Sequence, residues 1–535
     1  MTAAVPDGRP FLHGYVTDVA YLRHFCPELS PTMIRAVCAL NGVSPPPADD
    51  FTYAELGCGH GDSTATLAAA HPRSRFWGVD LLPEHIASAR ELATRGQLTN
   101  VRFLEKDFAD LEGEAIPPLD YVTAYGVLSW IPADARAALI AYAARALKPG
   151  GVLFVSYNAQ PGWAALEPLR RLLLTFSPPE GAADTRSRAE AALAAARLFA
   201  DDDAGYFTQN PTAREMLRTM IRAGTSYVSH EYFHDWWHCL DFGDLAGELV
   251  AADLHHVGQL PLHRNVPELA LQPAIAELAN RYKERDPFAV ERAKDYVSNT
   301  FFRNDVFVKG PLVRRDETPA AYLQQTRFGT LVPFARVARD RPAGIRSLKI
   351  EGPLFPPLLE RIAEEDVALV DLAGDPALAG FDGETVRAAL VQLLLTDAAT
   401  PFAASELPEA SGHDDAEAPL IPSAYNRAAL AAAVEHSRPA ILASPRAGTG
   451  LELSLMDALA LAAHVEVPRA AREEWLAAFV GRRRARLWNQ DVPIEEPAEQ
   501  IRFLAGRIAH FAETELPKLV ALGIVHPRAL SPDAP

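Results

Sequence analysis

The chain of 535 residues has little cysteine, an excess of acid over base and no long apolar run. Its four cysteines, Cys26, Cys38, Cys58 and Cys239, are far apart and form no C-x-x-C pair. This argues against a disulfide framework and suits a reducing, cytoplasmic compartment. Lys and Arg total 51 against 69 Asp and Glu, a formal charge of -18. Sequence-independent nucleic-acid binding needs a basic face to neutralise phosphates, so no nucleic-acid partner is expected. The acidic balance suits a basic or lysine-bearing partner. No stretch approaches the roughly 20 apolar residues of a membrane span. The start, "MTAAVPDGRPFLHGYVTD", lacks a cationic segment followed by an apolar one, so no signal peptide is expected.

What is present is alternation. Hydrophobic residues make up 49% and charged residues 22%, ordinary for a globular chain whose length implies several domains. Within 1–50, "SPTMIRAVCALNGV" predicts a helix that starts at Ser30-Pro31 and stops at Gly42. From 51 to 158, short runs rich in β-branched and aromatic residues ("FTYAELG", "RFWGVD", "NVRFLEKDF", "LDYVTAYGVL", "GVLFVSYN") alternate with helix-period runs such as "PADARAALIAYAARAL". Strands alternating with helices predict an α/β domain with a parallel sheet. Residues 160–230 read as helical. "FGDLAGELVAADLHHVGQL" and "FFRNDVFVKG" supply two late strands that fit the same sheet. Beyond 311 a small mixed module follows. Then comes an acidic, Pro- and Ala-rich connection, "ASELPEASGHDDAEAPLIPS", and a mostly helical end from 425.

The chemistry concentrates at "YAELGCGHGDST". Gly57, Gly59 and Gly61 make G-x-G-x-G, one place short of the dinucleotide fingerprint G-x-G-x-x-G. The spacing alone leaves a nicotinamide dinucleotide and S-adenosylmethionine both open. Asp62 stands at the helix start, where a carboxylate would repel a pyrophosphate but suit a cation. Glu55 precedes the turn. Asp80, followed by Leu81, ends the next strand, where an acid accepts hydrogen bonds from ribose hydroxyls. Asp107 and Phe108 follow the third strand, suited to an adenine amino group and ring. This set fits a cofactor with ribose, adenine and positive charge but no phosphate, which is S-adenosylmethionine.

"AELGCGHGDST", "FWGVDLLPEHI", "NVRFLEKDFADL", "YGVLSWIP" and "ALKPGGVLFVSYNAQPGW" together resemble class I methyltransferases that carry a methyltransferase regulatory domain, in particular the rickettsial outer-membrane-protein lysine methyltransferases. The resemblance extends from "YVTDVAYLRHFCPELSP" through "HEYFHDWW" and "FFRNDVFVKG" to "YNRAAL" and "LASPRAGTG". It implies a Rossmann-like seven-strand methyltransferase core and transfer of methyl groups to lysine side chains of a protein. With the element reading it gives an N-terminal helical lid segment (1–50), the core (51–165) and a helical insertion or dimerisation region (166–230). A regulatory region with the last core strands (231–310), a middle domain (311–375) and a winged-helix-like C-terminal domain (376–535) follow. A homodimer is among the implied assemblies. The family has a His before the glycine of "GVLSW"; this chain has Tyr125 before Gly126.

Ligands of open α/β sheets bind at the carboxyl edge, so acceptor candidates are sought where the fourth and fifth strands end. Tyr125, Tyr157 and Asn158 are the catalytic candidates, and Tyr125 and Gly126 also face the donor. Trp130 and Trp163 are candidates for acceptor binding, weighed against simple packing. Tyr15, Tyr21 and Glu28 are candidates to close the site from the N-terminal segment. The alternatives are a methyltransferase acting on a small metabolite or modified peptide, and a donor-binding scaffold with little catalysis. "HEYFH" at 230–234 literally matches the zinc motif H-E-x-x-H, but the glycine and third His of the extended form are replaced by Trp237 and Leu240, so no metal is expected. "GRRRARLW" at 481–488 reads as a solvated basic helix face.

Overall fold

The structure is a computed structural model. It describes residues 11–12, 15–16, 18–19, 23–179, 183–403, 420–483, 487–489 and 492–530. Seven strands form one sheet: β1 (Thr52–Leu56), β2 (Arg75–Asp80), β3 (Val101–Glu105), β4 (Leu119–Ala124), β5 (Leu147–Asn158), β6 (Leu254–Leu260) and β7 (Phe302–Lys309). Their spatial order is β3-β2-β1-β4-β5-β7-β6. The first five are parallel, and β7 runs antiparallel to both β5 and β6. Every residue of β1 and β4 is buried, because helices cover both faces of these central strands. Strand order reverses between β1 and β4, which places the crevice of the site above their carboxyl ends.

Helices α1 (Pro31–Leu40), α2 (Asp62–Ala70), α3 (Pro83–Arg95) and α4 (Ala133–Ala146) belong to the core. Helices α5 (Glu167–Thr175), α6 (Thr185–Asp201), α7 (Pro211–Ala223) and α8 (Thr225–Tyr232) form the expected bundle, with its own core around Leu169, Leu193, Phe207, Leu217 and Tyr232. Helix α9 (Phe242–Ala251) packs on the sheet beside α4, and Arg136 of α4 pairs with Glu248 of α9 at 3.1 Å. Helix α10 (Ala289–Ser298) precedes β7.

Helix α1 packs on the core: Ile34, Val37, Cys38 and Ala39 are wholly buried in one cluster with Tyr53, Tyr121 and Leu358. Residues on both sides of 375 also belong to this cluster. Leu358, Leu359 and Ile362 share one core with Leu378, Val386, Leu390 and Leu393, so the unit runs on to residue 402. The next core, residues 420–530, begins after the acidic connection, most of which lies outside the described residues. This last unit is mostly helical. It contains a hairpin, Ala440–Ser444 with Thr449–Leu453, turning at Gly448 with φ +64°.

That hairpin docks on α2 and the segment before α1. Ser30 Oγ donates to the Gly448 carbonyl, and His71 Nε2 also lies 2.9 Å from that carbonyl. The hydroxyls of Thr66 on α2 and Tyr425 meet at 2.7 Å. Asn426 clamps Ala443 through both backbone groups, at 2.9 and 2.7 Å. A side chain at Gly450 would press on Thr66 and Phe25. The motifs "YNRAAL" and "LASPRAGTG" are therefore the joint between the last unit and the core.

Candidate functional site

The donor side grows out of the turn after β1. Gly57 sits at φ +79°, and a Cβ there would lie 2.4 Å from Val127 Cγ2, so only glycine fits. Gly59, at φ +54°, and Gly126, at φ +65° beyond β4, have nothing within 4 Å of where a Cβ would stand. Their bare backbone faces open space at the two strand ends flanking the switch point. Gly61 precedes α2 as its N-cap residue.

Acids surround this space. Asp80 accepts from the backbone N–H of Gly59 at 2.8 Å and of Leu82 at 2.9 Å, with His85 Nδ1 at 3.1 Å. Each carboxylate oxygen has two lone pairs, which leaves capacity for hydroxyl donors. Leu81 is half-buried in the turn that follows. Glu55 is 4% exposed and accepts from the Thr64 hydroxyl. Burial first, and the nearby Asp80 and Asp62 charges second, push its carboxyl up to about 8, while the Thr64 bond pulls it down. A buried carboxyl that holds its proton is one that a bound cation would ionise. Asp107 caps the short helix Phe108–Gly113 by accepting from Ala109 N–H at 3.0 Å. Phe108 is half-buried against the sheet core. The Asp62 carboxylate is paired with Arg23 at 2.9 Å. The open glycines, Glu55 and Asp80 fit an adenosyl cofactor with a positive charge and no phosphate.

The acceptor side is built by β4, β5 and the segments that lie along them. Ser156 Oγ accepts from Gly126 N–H at 2.7 Å, and Ser129 Oγ accepts from Asn158 N–H at 2.8 Å. Asn158 is 5% exposed, and its Nδ2 has no hydrogen-bond partner. Tyr125 is half-buried, 5.7 Å ring to ring from Phe302 and 6.4 Å from His24. The N-terminal segment packs along α2 and β1. Arg23 reaches Asp62, Cys26 N–H donates to Ser63 at 3.2 Å, and Tyr53 donates to the Leu29 carbonyl at 3.1 Å. Glu28 is half-buried in that segment. Tyr21 and the Tyr15 side chain lie outside the described residues.

Two candidates have partners of their own. Tyr157 is fully buried, and its hydroxyl donates to Asp305 at 2.7 Å. Successive residues of a strand point to opposite faces, so Tyr157 and Asn158 cannot both face the acceptor. Trp163 is 7% exposed, donates Nε1–H to the Phe301 carbonyl at 2.8 Å, and packs edge-on to Trp237 and Phe301. It is a packing residue between the sheet and the bundle. Trp130 is half-buried, with its ring centroid 5.4 Å from that of His234 in an edge-on arrangement.

The H-E-x-x-H reading also meets the structure. Helix α8 ends at Tyr232, so His234 is not on it. Its Nδ1 accepts from Val16 N–H at 3.1 Å, and no cluster of three metal-ligating side chains occurs among the described residues. Of "GRRRARLW", residues 481–483 end the helix Arg472–Arg483, Leu487 and Trp488 belong to a short strand, and 484–486 lie outside the described residues.

Residues that the motifs did not single out matter here: Thr64, His85, Ser129, Ser156 and the Arg303–Asp305 pair. Thr64 and His85 were within reach, as polar residues inside the first turns after two site loops. The others join the site only through long-range contacts.

Residues 54–153 match the methyltransferase domain family, and residues 224–309 match a predicted methyltransferase regulatory domain. An uncharacterized protein of Synechocystis is 28% identical over 512 residues, covering 96% of this chain and 99% of its own. The solved structure of PKMT2 from Rickettsia typhi in complex with AdoHcy superposes with a TM-score of 0.68 at 17% identity, covering 94% of this chain and 99% of that one. A trans-aconitate 2-methyltransferase of Methylobacterium nodulans is 41% identical over 101 residues, 19% of this chain and 36% of that protein.

Proposed function

We propose that this chain, an S-adenosylmethionine-dependent methyltransferase with a methyltransferase regulatory domain, methylates lysine side chains of a protein. The observation that carries this reading is Asn158: a buried amide at the end of β5 with an unpartnered Nδ2, across the crevice from the open glycines. Because the two ends of an amide are assigned from their partners, either can meet an incoming group. An amide oxygen accepts an N–H from a neutral amine and leaves the nitrogen lone pair free to attack.

Bound at the glycine loop, the cofactor supplies an electrophilic methyl group on a sulfonium. Glu55 and Asp80 would hold it by charge and by hydrogen bonds to the ribose. The backbone of Gly59 and Gly126 leaves room for close approach, and Asp107 and Phe108 would face the adenine. The acceptor amine must arrive without its proton. Tyr125 and Phe302 make an aromatic approach, and desolvation against them lowers the amine's pKa. Aromatic faces also stabilise the methylated cation that forms. Asn158 then orients the nitrogen, and alignment with exclusion of water supplies most of the acceleration. Tyr125 replaces the family's His, so its phenol and not an imidazole borders the amine.

A protein acceptor needs room beside the site. A cavity of about 430 Å³ lies next to Gln160, two residues beyond Asn158, between α4, α5 and the Trp236–Leu240 segment. It suits residues that flank the lysine. The full-length likeness to PKMT2 supports the same reading. A small-metabolite acceptor is the second reading, favoured by the trans-aconitate 2-methyltransferase likeness, which lies within one fifth of the chain. Full-length enzyme with tritiated donor separates them. Label transferred to poly-L-lysine, and not to fully acetylated poly-L-lysine, supports the amine acceptor. Label on small carboxylic acids alone contradicts it.

A further inference from the structure

We propose that Tyr157 and Arg303 form a positioning lock, by which the regulatory region holds the acceptor end of β5 and the turn after it in place. The two residues are register partners on antiparallel β5 and β7, and the next pair is Asn158 with Phe302. Their side chains therefore share one face of the sheet, while Asn158 and Phe302 share the other.

Arg303 is fully buried and all of its N–H groups are engaged. Nε and Nη2 donate to Asp305 at 2.8 and 2.7 Å. Nη1 reaches both oxygens of Asp295 at 2.8 Å, and Nη2 reaches Glu291 at 3.0 Å. Its guanidinium lies 4.0 Å from the centroid of Phe242. Asp305 is shared with the Tyr157 hydroxyl at 2.7 Å and with His256 Nε2 at 3.1 Å. Arg264 adds bonds to Thr300 at 2.7 Å and Asp295 at 3.4 Å.

The far side of this network grips the acceptor turn. Ala159 N–H and Trp163 Nε1–H both donate to the Phe301 carbonyl at 2.8 Å, and Gly162 N–H donates to the Thr300 carbonyl at 3.0 Å. A Cβ on Gly162 would lie 2.4 Å from that same carbonyl, so the turn and residues 300–301 are in direct backbone contact. Residues 295–305 thus join the charge network at one end to the Asn158 turn at the other. Stability alone is a weak reason for such a network, because apolar replacements of buried ion pairs are often neutral or stabilising. Fixing one arrangement of a strand end is a reason that the geometry supplies.

The proposal rests on the reading of Asn158 as the group that meets the acceptor, and its test separates the two. In full-length protein, Tyr157→Phe keeps the ring and removes one bond to Asp305. Amide hydrogen exchange over residues 156–163 is expected to rise roughly tenfold, with exchange in 119–124 and affinity for S-adenosylhomocysteine unchanged. The turnover number with poly-L-lysine falls roughly tenfold while the donor KM holds. Arg303→Met gives the larger effect and Arg303→Lys restores part of it. Leu390→Val, in the core of the middle unit, serves as a control for stability loss alone. Unchanged exchange at 156–163 in Tyr157→Phe overturns the lock, as does a turnover loss no greater than that of Leu390→Val at matched melting temperature. If the wild type transfers nothing to poly-L-lysine, the acceptor reading fails, and the exchange result still decides the lock.

Discussion

The donor side and the acceptor side of this site are assembled differently. From Glu55 to Phe108, successive strand–turn–helix units supply the donor side, and its hydrogen bonds join near neighbours: Thr64 with Glu55, Gly59 and His85 with Asp80. The acceptor side joins distant segments. Asn158 is flanked by Ser129 and Leu240, the turn after it is held by Thr300 and Phe301, and Tyr157 is tied to Asp305. The first side follows from local turn geometry. The second exists only when the regulatory region is folded against β5. Donor affinity should therefore be insensitive to the regulatory region, and transfer should depend on it.

The strongest way to break the comparison is at Asp80. Asp80→Ala removes the acceptor for Gly59 and Leu82 N–H and, with it, the proposed ribose contact. Calorimetric affinity for S-adenosylhomocysteine should drop roughly 100-fold or more. Near-normal affinity would mean that the donor lies elsewhere. Asn158→Ala should show the opposite pattern: transfer to poly-L-lysine down roughly 100-fold with donor affinity unchanged, read by single-turnover kinetics and calorimetry.

Glu55 sharpens the comparison through pH. Its folded-state pKa of about 8 lies above the ordinary carboxyl value, so the folded protein without donor holds a proton that the unfolded chain has lost. The stability of that form should fall as pH rises from the ordinary carboxyl range through about 8. A cationic donor favours the ionised form, so donor affinity should rise with pH by up to about tenfold per unit until it levels near that pKa. Glu55→Gln should flatten both profiles; unchanged profiles would assign the dependence to another group. The smallest effect is expected at the joint with the last unit. Thr66→Val breaks the bond to Tyr425 and should lower stability in urea by about 1 kcal/mol with little change in either activity.

The same contrast explains what the sequence made legible. The strand–helix alternation, the seven strands and the G-x-G-x-G loop with Glu55 and Asp80 could be read because each depends on residues close together in the chain. The partner of Asp62, Arg23, was not legible because it comes from a segment with no periodic signature. The pleat puts Tyr157 and Asn158 on opposite faces, and only the β5–β7 register shows which face Asp305 occupies. The sequence leaves Trp163 open between binding and packing because the partner of its indole N–H, the Phe301 carbonyl, is far away in the chain. Leu358 and Leu390 meet in one core across residue 375, a contact that no composition shift marks.

The most direct test of the central claim is identification of the methylated residue. Full-length enzyme is incubated with tritiated S-adenosylmethionine and a cell extract, and the protein fraction is hydrolysed and separated by amino-acid chromatography. The account predicts label in ε-N-methylated lysine, lost with Asn158→Ala and retained in proportion to donor occupancy with Glu55→Gln. Label found only in base-labile carboxyl esters, or only in small molecules outside the protein fraction, would contradict it.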